Sequence, residues 1–172
     1  MQSLVLTAIG DDRPGLVEVL STTISDHGGN WLESSMAQLA GKFAGILRVE
    51  APEASVDALI AALGALDALK VTVTQAGNAA PTRARLLKLT VVGHDRVGIV
   101  REVSQVLARH AVNVEELNTA TSSAPMSGET LFHARASLQA ADDLDAGALQ
   151  AALEALSNDL IVDITLDEIV TV

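Results

Sequence analysis

Two short stretches of this 172-residue chain carry residues whose types and spacing suit the binding of a small anion. They are Gly10–Val17 and Gly93–Val100, two versions of the pattern Gly-x-Asp-Arg-x-Gly-(Leu/Ile)-Val, which start 93 − 10 = 83 positions apart. Each follows an alternating apolar run typical of a β-strand and opens a segment with helical periodicity. The first N–H groups of a helix lack backbone partners, so such a turn can hold a carboxylate. A purely structural strand-to-helix turn explains the pattern equally well.

Aspartate and glycine have separate roles in this turn. Asp12 and Asp95 stand just before the helices, where a carboxylate can cap free N–H groups and favours the positive end of the helix dipole. Gly15 and Gly98 let a ligand or another backbone come close, because glycine has no side chain. We therefore include all four residues in the candidate ligand site.

Another polar position recurs beyond each predicted helix, at Asn30 and Asn113. Each asparagine opens the strand that follows its helix. Its side chain can bind an ammonium or amide group of a ligand, or it can close a turn. Repetition favours a shared role for turn and asparagine, although repeats also preserve plain structure.

Most kinds of catalytic and metal site are absent from the sequence. The chain has no cysteine, and it lacks nucleophile motifs, phosphate loops and dinucleotide-binding patterns. His27 and His110 fall at predicted helix C-termini, where the helix dipole favours histidine, while His94 and His133 have no metal-ligand spacing. We expect no metal, no cofactor and no catalytic residue.

The charge balance excludes direct binding to nucleic acid. Twenty-two acidic side chains against 11 lysines and arginines give a net charge of −11, which repels phosphate backbones. The aromatic residues are limited to Trp31, Phe43 and Phe132, too few for a base-stacking surface. No apolar run is long enough to span a membrane, and we expect a cytoplasmic protein.

The repeat extends well beyond the turn. The first helix of each half has one stripe predicted to face the core. The stripe consists of Leu16, Val19, Leu20, Thr23 and Ile24 in the first half and includes Ile99, Val103, Val106 and Leu107 in the second. The predicted order in each half is strand, helix, strand, strand, helix, strand, which is the α+β ferredoxin-like plan of a four-stranded antiparallel sheet with helices on one face. We predict a first domain at 1–76, a linker at 77–84 and a second domain at 85–172. In the first half we predict a strand at Asn30–Leu39, a tight turn at Ala40–Gly41 and a last strand at Lys70–Gln75. Gly128 and Arg135 match Gly41 and Arg48 at an offset of 87, which predicts that the hairpin loop of the second half, Ser122 to Gly128, is four residues longer than that of the first.

Both copies, each followed by a helix that ends in His-x-x-Asn, resemble tandem ACT domains. The resemblance covers the whole chain and is greatest for the glycine cleavage system transcriptional repressor family. It implies amino-acid binding at interfaces between domains or subunits, through Asp12, Gly15 and Asn30 in the first copy and Asp95, Gly98 and Asn113 in the second. This sequence departs from the family where Val97 replaces the proline of the turn and where Ala111-Val112 replaces Gly28-Gly29. One copy can therefore be structural only.

The resemblance implies a non-enzymatic regulator that binds a small amino acid such as glycine and acts on a protein partner such as a transcriptional activator. We expect a homodimer, because small sheets with apolar residues on both faces need cover. The alternative is a regulatory subunit of an amino-acid-metabolising enzyme.

Overall fold

A computed structural model describes residues 1–77, 83–124 and 128–171 of the chain. The chain divides into two units, Met1–Ala79 and Ala80–Val172, and each unit has its own hydrophobic core. Most of the predicted linker, and the middle of the predicted hairpin loop from Ser122 to Gly128, lie outside the described residues. Among the described residues, no helix is long and apolar enough to cross a membrane.

The first unit has the predicted βαββαβ order. Its sheet is antiparallel with strand order β2-β3-β1-β4, so β1 lies between two neighbours, as expected for a strand that is apolar on both faces. A single 3-10 turn, Glu53–Ser55, follows Pro52 and leads into the second helix. The elements are β1 Gln2–Asp11, α1 Leu16–Asp26, β2 Asn30–Leu39, β3 Lys42–Ala51, α2 Val56–Gly64 and β4 Lys70–Gln75.

The second unit repeats this plan with strand order β6-β7-β5-β8. The two antiparallel four-stranded sheets with their four helices confirm the predicted fold class. Its elements are β5 Arg83–His94, α3 Ile99–Arg109, β6 Asn113–Ser123, β7 Thr130–Ala140, α4 Ala146–Glu154 and β8 Ile161–Thr171.

Each core lies between the sheet and its two helices. In α1 the buried residues are Leu16, Leu20 and Ile24, spaced four apart on one side of the helix. Val19, predicted to face the same core, is 40% exposed, so the buried stripe of α1 is narrower than the sequence pattern indicates. In α3 the predicted core positions Ile99, Val103, Val106 and Leu107 are all buried.

The predicted loop length of the second hairpin is confirmed, but the predicted residue match is wrong. Six residues separate Ser123 from Thr130, where two separate Leu39 from Lys42, so the second loop is four residues longer. Each strand of the second hairpin is also one residue longer, and the pairs Asn30–Glu50 and Asn113–Gln139 show that the third strands correspond at an offset of 139 − 50 = 89. Arg135 accordingly corresponds to Ile46 and not to Arg48, because strand pairing, and not the matching glycines, sets the register.

Both first helices end in the same backbone conformation despite their different sequences. Gly28 has φ 71° and Ala111 has φ 53°, both in the left-handed region. The N–H of Gly29 donates to Ile24 O at 2.9 Å, and the N–H of Val112 donates to Leu107 O at 3.0 Å. The second domain thus keeps a glycine-type helix end with an alanine, at a conformational cost.

Candidate functional site

The two predicted turns have nearly identical backbones. Gly15 has φ 93° and ψ −2°, and Gly98 has φ 92° and ψ 0°. Each turn is held to the neighbouring hairpin, because Asp12 N donates to Gly41 O and Asp95 N donates to Thr130 O, both at 2.9 Å. Replacing the usual proline by valine has therefore left the second turn unchanged.

The first helical N–H groups behind these glycines are available to an acceptor. In α1, the N–H groups of Leu16, Val17 and Glu18 donate to no backbone carbonyl of the described residues. In α3, Ile99 N makes only a long 3.4 Å bond to Arg96 O. Both turns therefore present donors and the positive end of a helix dipole to an anion.

The aspartates of the two turns, Asp12 and Asp95, do not cap these helices. Neither helix has a side-chain hydrogen bond at its N-cap, which is the glycine itself. Within the described part of the chain, the carboxylates of Asp12 and Asp95 have no hydrogen-bond or ion-pair partner, and both residues are exposed. They are free to bind a cationic group beside the turn.

Asn30 and Asn113 lie at the opposite end of their sheets from the turns. Asn30 pairs with Glu50, which pairs with Ser3, eight residues before Asp11 along β1. Eight residues of strand span about 26 Å. Asn113 is placed in the same way relative to its own turn. Each turn thus brings its aspartate and glycine together, but a single domain does not bring the asparagine to them.

The second turn carries a cation that the sequence comparison missed. Arg101 Nη2 lies 3.7 Å from the position that a Cβ of Gly98 would occupy. The residue at the same place in the first domain is Glu18, whose Oε2 lies 4.0 Å from the corresponding point at Gly15. Arg101 and Glu18 occupy equivalent positions of the two repeats, since 101 − 18 = 83. A comparison that looks for identical residues does not detect this pair, because the two side chains have opposite charges.

One ion pair shapes the second turn, and a second arginine lies beside it. Arg96 Nη2 donates to Glu102 Oε2 at 2.6 Å, which lowers the pKa of Glu102 and raises that of Arg96. Arg101 makes no ion pair within 4.0 Å among the described residues, so its guanidinium remains available. An incoming carboxylate would meet helix N–H groups and one uncommitted cation at this turn.

His94 joins the second turn to two other segments of its domain. Its Nδ1 and its backbone N–H both lie 2.9 Å from Asp159 Oδ2, and Ser157 Oγ donates to the other oxygen of that carboxylate. Hydrogen bonds that the imidazole donates to Glu129 first and to Asp159 second raise the pKa of His94. The bonds from Ser157 and from the His94 backbone hold the pKa of Asp159 far below its usual range.

No metal centre accompanies these groups. Across residues 1–77, 83–124 and 128–171, no three His, Asp or Glu side chains are arranged to hold a metal ion. What the two turns offer is backbone donors, exposed carboxylates and, in the second domain, arginine. That set can bind the carboxylate and the ammonium of a zwitterion, and it contains no nucleophile paired with a base.

Comparison with known proteins identifies the class. The sequence profile of the ACT domain matches residues 2–74 and 85–167, so nearly the whole chain is covered by two copies. The protein belongs to the ACT domain family.

Among individual proteins, the chain is similar to the glycine cleavage system transcriptional repressors of Escherichia coli (strain K12) and Shigella flexneri. Each is 26% identical over 161 residues, which cover 91% of this chain and 85% of the relative. A crystal structure of an unknown protein from Galdieria sulphuraria has 29% identity and a TM-score of 0.81, covering 97% of this chain and 99% of that one. The crystal structure of a putative glycine cleavage system transcriptional repressor shares the fold, with 20% identity and a TM-score of 0.66 over 96% of this chain and 98% of that one.

Proposed function

We propose that this protein is a non-enzymatic regulator that binds a small amino acid and signals through contacts with a protein partner. The observation that carries the proposal is the second turn, where free N–H groups of α3 and the guanidinium of Arg101 converge beside Gly98. A carboxylate is the ligand group that such a set of donors favours.

The two domains differ in how well they suit a carboxylate. Glu18 stands beside Gly15 where Arg101 stands beside Gly98. Glu102 Oε1 also lies 3.9 Å from the Cβ position of Gly98, but that carboxylate is paired with Arg96, which leaves Arg101 as the added charge of the second turn. The unpaired Asp95 can hold the ammonium group at the same turn. The second domain is therefore the principal amino-acid site, which sequence analysis left open.

The asparagine reaches this site from a second copy of the protein. The strand β6 is an edge strand, and Asn113 is its first residue. Antiparallel pairing of two β6 edges from two chains would place the start of one strand beside the end of the other, where the turn lies. A homodimer would thus bring Asn113 of one chain towards the Asp95 turn of the other.

The net charge of the chain and its similarity to known repressors both support regulation through contacts with a protein partner. A net charge of −11 opposes binding to DNA, yet it can steer docking on a basic partner. The relatives named above are transcriptional repressors of the glycine cleavage system, which makes glycine a first ligand to test and a DNA-binding activator a first partner to test.

A thermal-shift screen against the twenty standard amino acids tests the binding half of the proposal. An amino acid that binds only the folded protein raises the melting temperature in proportion to the logarithm of its concentration. Absence of a shift with every amino acid at millimolar concentration would contradict it.

Affinity capture in the presence of the ligand tests the second half of the proposal, the protein partner. A transcriptional activator and an amino-acid-metabolising enzyme are easily distinguished among the captured proteins.

A further inference from the structure

A narrow apolar slot runs along α3 in the second domain, between the helix and the edge of the sheet. It encloses about 30 Å³, enough for one or two groups of the size of a water molecule or a methyl. Its walls contain no charged residue, and Ser104 and Thr119 are their polar members. The other residues that line it are Leu89, Val100, Val103, Leu107, Val114, Leu117, Phe132, Ala134 and Ala136.

The first domain fills the same place with its own side chains. Trp31 and Met36 of β2 are half-buried and pack against the first core. Met36 lies across Gly45, since a side-chain carbon at that glycine would collide with it. The corresponding residues of the second domain are Val114, Thr119 and Ala134, because 31 + 83 = 114, 36 + 83 = 119 and 45 + 89 = 134.

The smaller side chains leave β6 less buried than β2. Every residue of β6 is exposed, including Val114, Leu117 and Thr119, which line the slot. Val100 and Leu117 are 42% and 47% exposed at the slot, so it opens to the surface. The second domain therefore keeps open an apolar space that the first domain has closed.

We propose that this slot receives the aliphatic side chain of the amino acid whose carboxylate binds at the Gly98 turn. The inference rests on the proposed function and adds the class of ligand to it. The slot begins at Val100, two residues beyond Gly98 on the same helix, so one small molecule can reach both places. Its volume suits the two methyl groups of a valine side chain and excludes an aromatic ring.

The two domains then differ in selectivity as well as in charge. The second domain prefers a small aliphatic amino acid, because burying apolar carbons in the slot adds to the binding of the charged groups. The first domain, with Trp31 and Met36 in place, has no room for such a side chain. Any ligand of its turn has a side chain no larger than that of alanine.

Isothermal titration of the full-length protein with glycine, alanine, valine and phenylalanine tests this selectivity. Two buried methyl groups strengthen binding roughly tenfold, so valine should bind about tenfold more tightly than alanine, and phenylalanine no more tightly than alanine. Alanine binding without any gain for valine would overturn the inference and leave the proposed function standing. No heat with any amino acid would overturn both.

Grafting the residues of the first domain into the slot provides a second arm. Thr119→Met combined with Ala134→Gly recreates the Met36–Gly45 contact, and Val114→Trp is an independent way to fill the slot. Each should reduce the ratio of valine affinity to alanine affinity to about one, whereas Thr165→Met on β8 should leave that ratio at about ten. An undiminished valine preference in both filled variants would show that the side chain binds elsewhere and overturn the inference.

Discussion

His94 Nε2 lies 2.9 Å from Glu129 Oε2, so the imidazole of the second turn is held by the hairpin as well as by Asp159. The residue at the same place in the first domain is Asp11, which pairs with Lys42 instead. Glu129 belongs to the extra residues of the longer hairpin and has no equivalent in the first domain. The second domain has thus replaced an ion pair of fixed charge with one that responds to pH near neutrality.

The stability of the second domain should fall as the pH rises above about 6.5. Carboxylates raise the pKa of His94, so the folded state favours the imidazolium. The stabilisation is fully present below the pKa of the unfolded chain and is lost as pH rises through the higher pKa of the folded state. Urea denaturation followed by circular dichroism should show that His94→Gln lowers the midpoint more at pH 6 than at pH 8.5.

The first domain supplies a matched control for this pH dependence. Lys42 lowers the pKa of Asp11, so that carboxylate stays ionised across the same interval. Asp11→Asn should therefore change the midpoint equally at pH 6 and pH 8.5. A His94→Gln effect that is likewise independent of pH would show that the imidazolium does not stabilise the fold.

The end of α3 offers a stabilising substitution. Ala111 has φ 53°, a conformation that costs an L-residue about 1 kcal/mol relative to glycine. Ala111→Gly should raise the free energy of unfolding by about 0.5–1 kcal/mol, and Gly28→Ala should lower it by a similar amount. A side chain at Gly28 would meet Pro52 at an ordinary 3.6 Å, so the reverse variant isolates backbone strain. Equal thermal midpoints for all three proteins would mean that the turn relaxes.

Local patterns predicted the elements of this fold well because glycine and proline mark their ends. The strands Asn30–Leu39 and Lys70–Gln75 have the predicted bounds, and the turn between β2 and β3 is Ala40–Gly41, as predicted. The loop length of the second hairpin was predicted correctly, but the match of Arg135 to Arg48 was wrong, because strand register cannot be read from matching residues in one sequence.

The site was harder to predict than the fold. The turn residues follow from the motif, but the separation of Asn30 from Gly15 depends on strand direction and order. Arg101 was overlooked because it differs from its repeat partner in the very property that matters, its charge. The filled and open slots depend on three positions whose side chains differ in volume, and the sequence does not show that these positions meet between the helix and the sheet.

Amino-acid binding should depend on the second turn more than on the first. Arg101→Gln, Asp95→Ala and Asn113→Ala should each weaken binding by about 1–3 kcal/mol, since each removes a hydrogen-bonding partner of a charged ligand group. Glu18→Gln, Asp12→Ala and Asn30→Ala should have smaller effects on the principal site. Unchanged calorimetric affinity in the first three variants would count decisively against the proposed site.

Self-association should depend on the exposed sheet edges. Leu117 and Val114 are 47% and 37% exposed on β6, an edge strand whose residues are all exposed. Light scattering at micromolar concentration should give the mass of a dimer, and Leu117→Lys should reduce it to that of one chain, because a charge on the edge opposes strand pairing. Lys88→Gln, on the central strand β5, serves as the control for a surface change away from the edge. A single-chain mass for the unaltered protein over a wide dilution range would exclude the dimer.

The protein alone should not shift duplex DNA, even at low salt where every phosphate contact is strongest. Twenty-two carboxylates against 11 lysines and arginines mean that any approach to the phosphates is opposed by net repulsion. Regulation of transcription then requires a DNA-bound protein, and a ligand alters that docking only by favouring one state of this protein over another. In a gel-shift experiment, adding the cognate activator should give a supershift that changes with the amino acid, and Arg101→Gln should make the supershift insensitive to it. A salt-sensitive complex with bare DNA would overturn this mechanism while leaving the amino-acid site untouched.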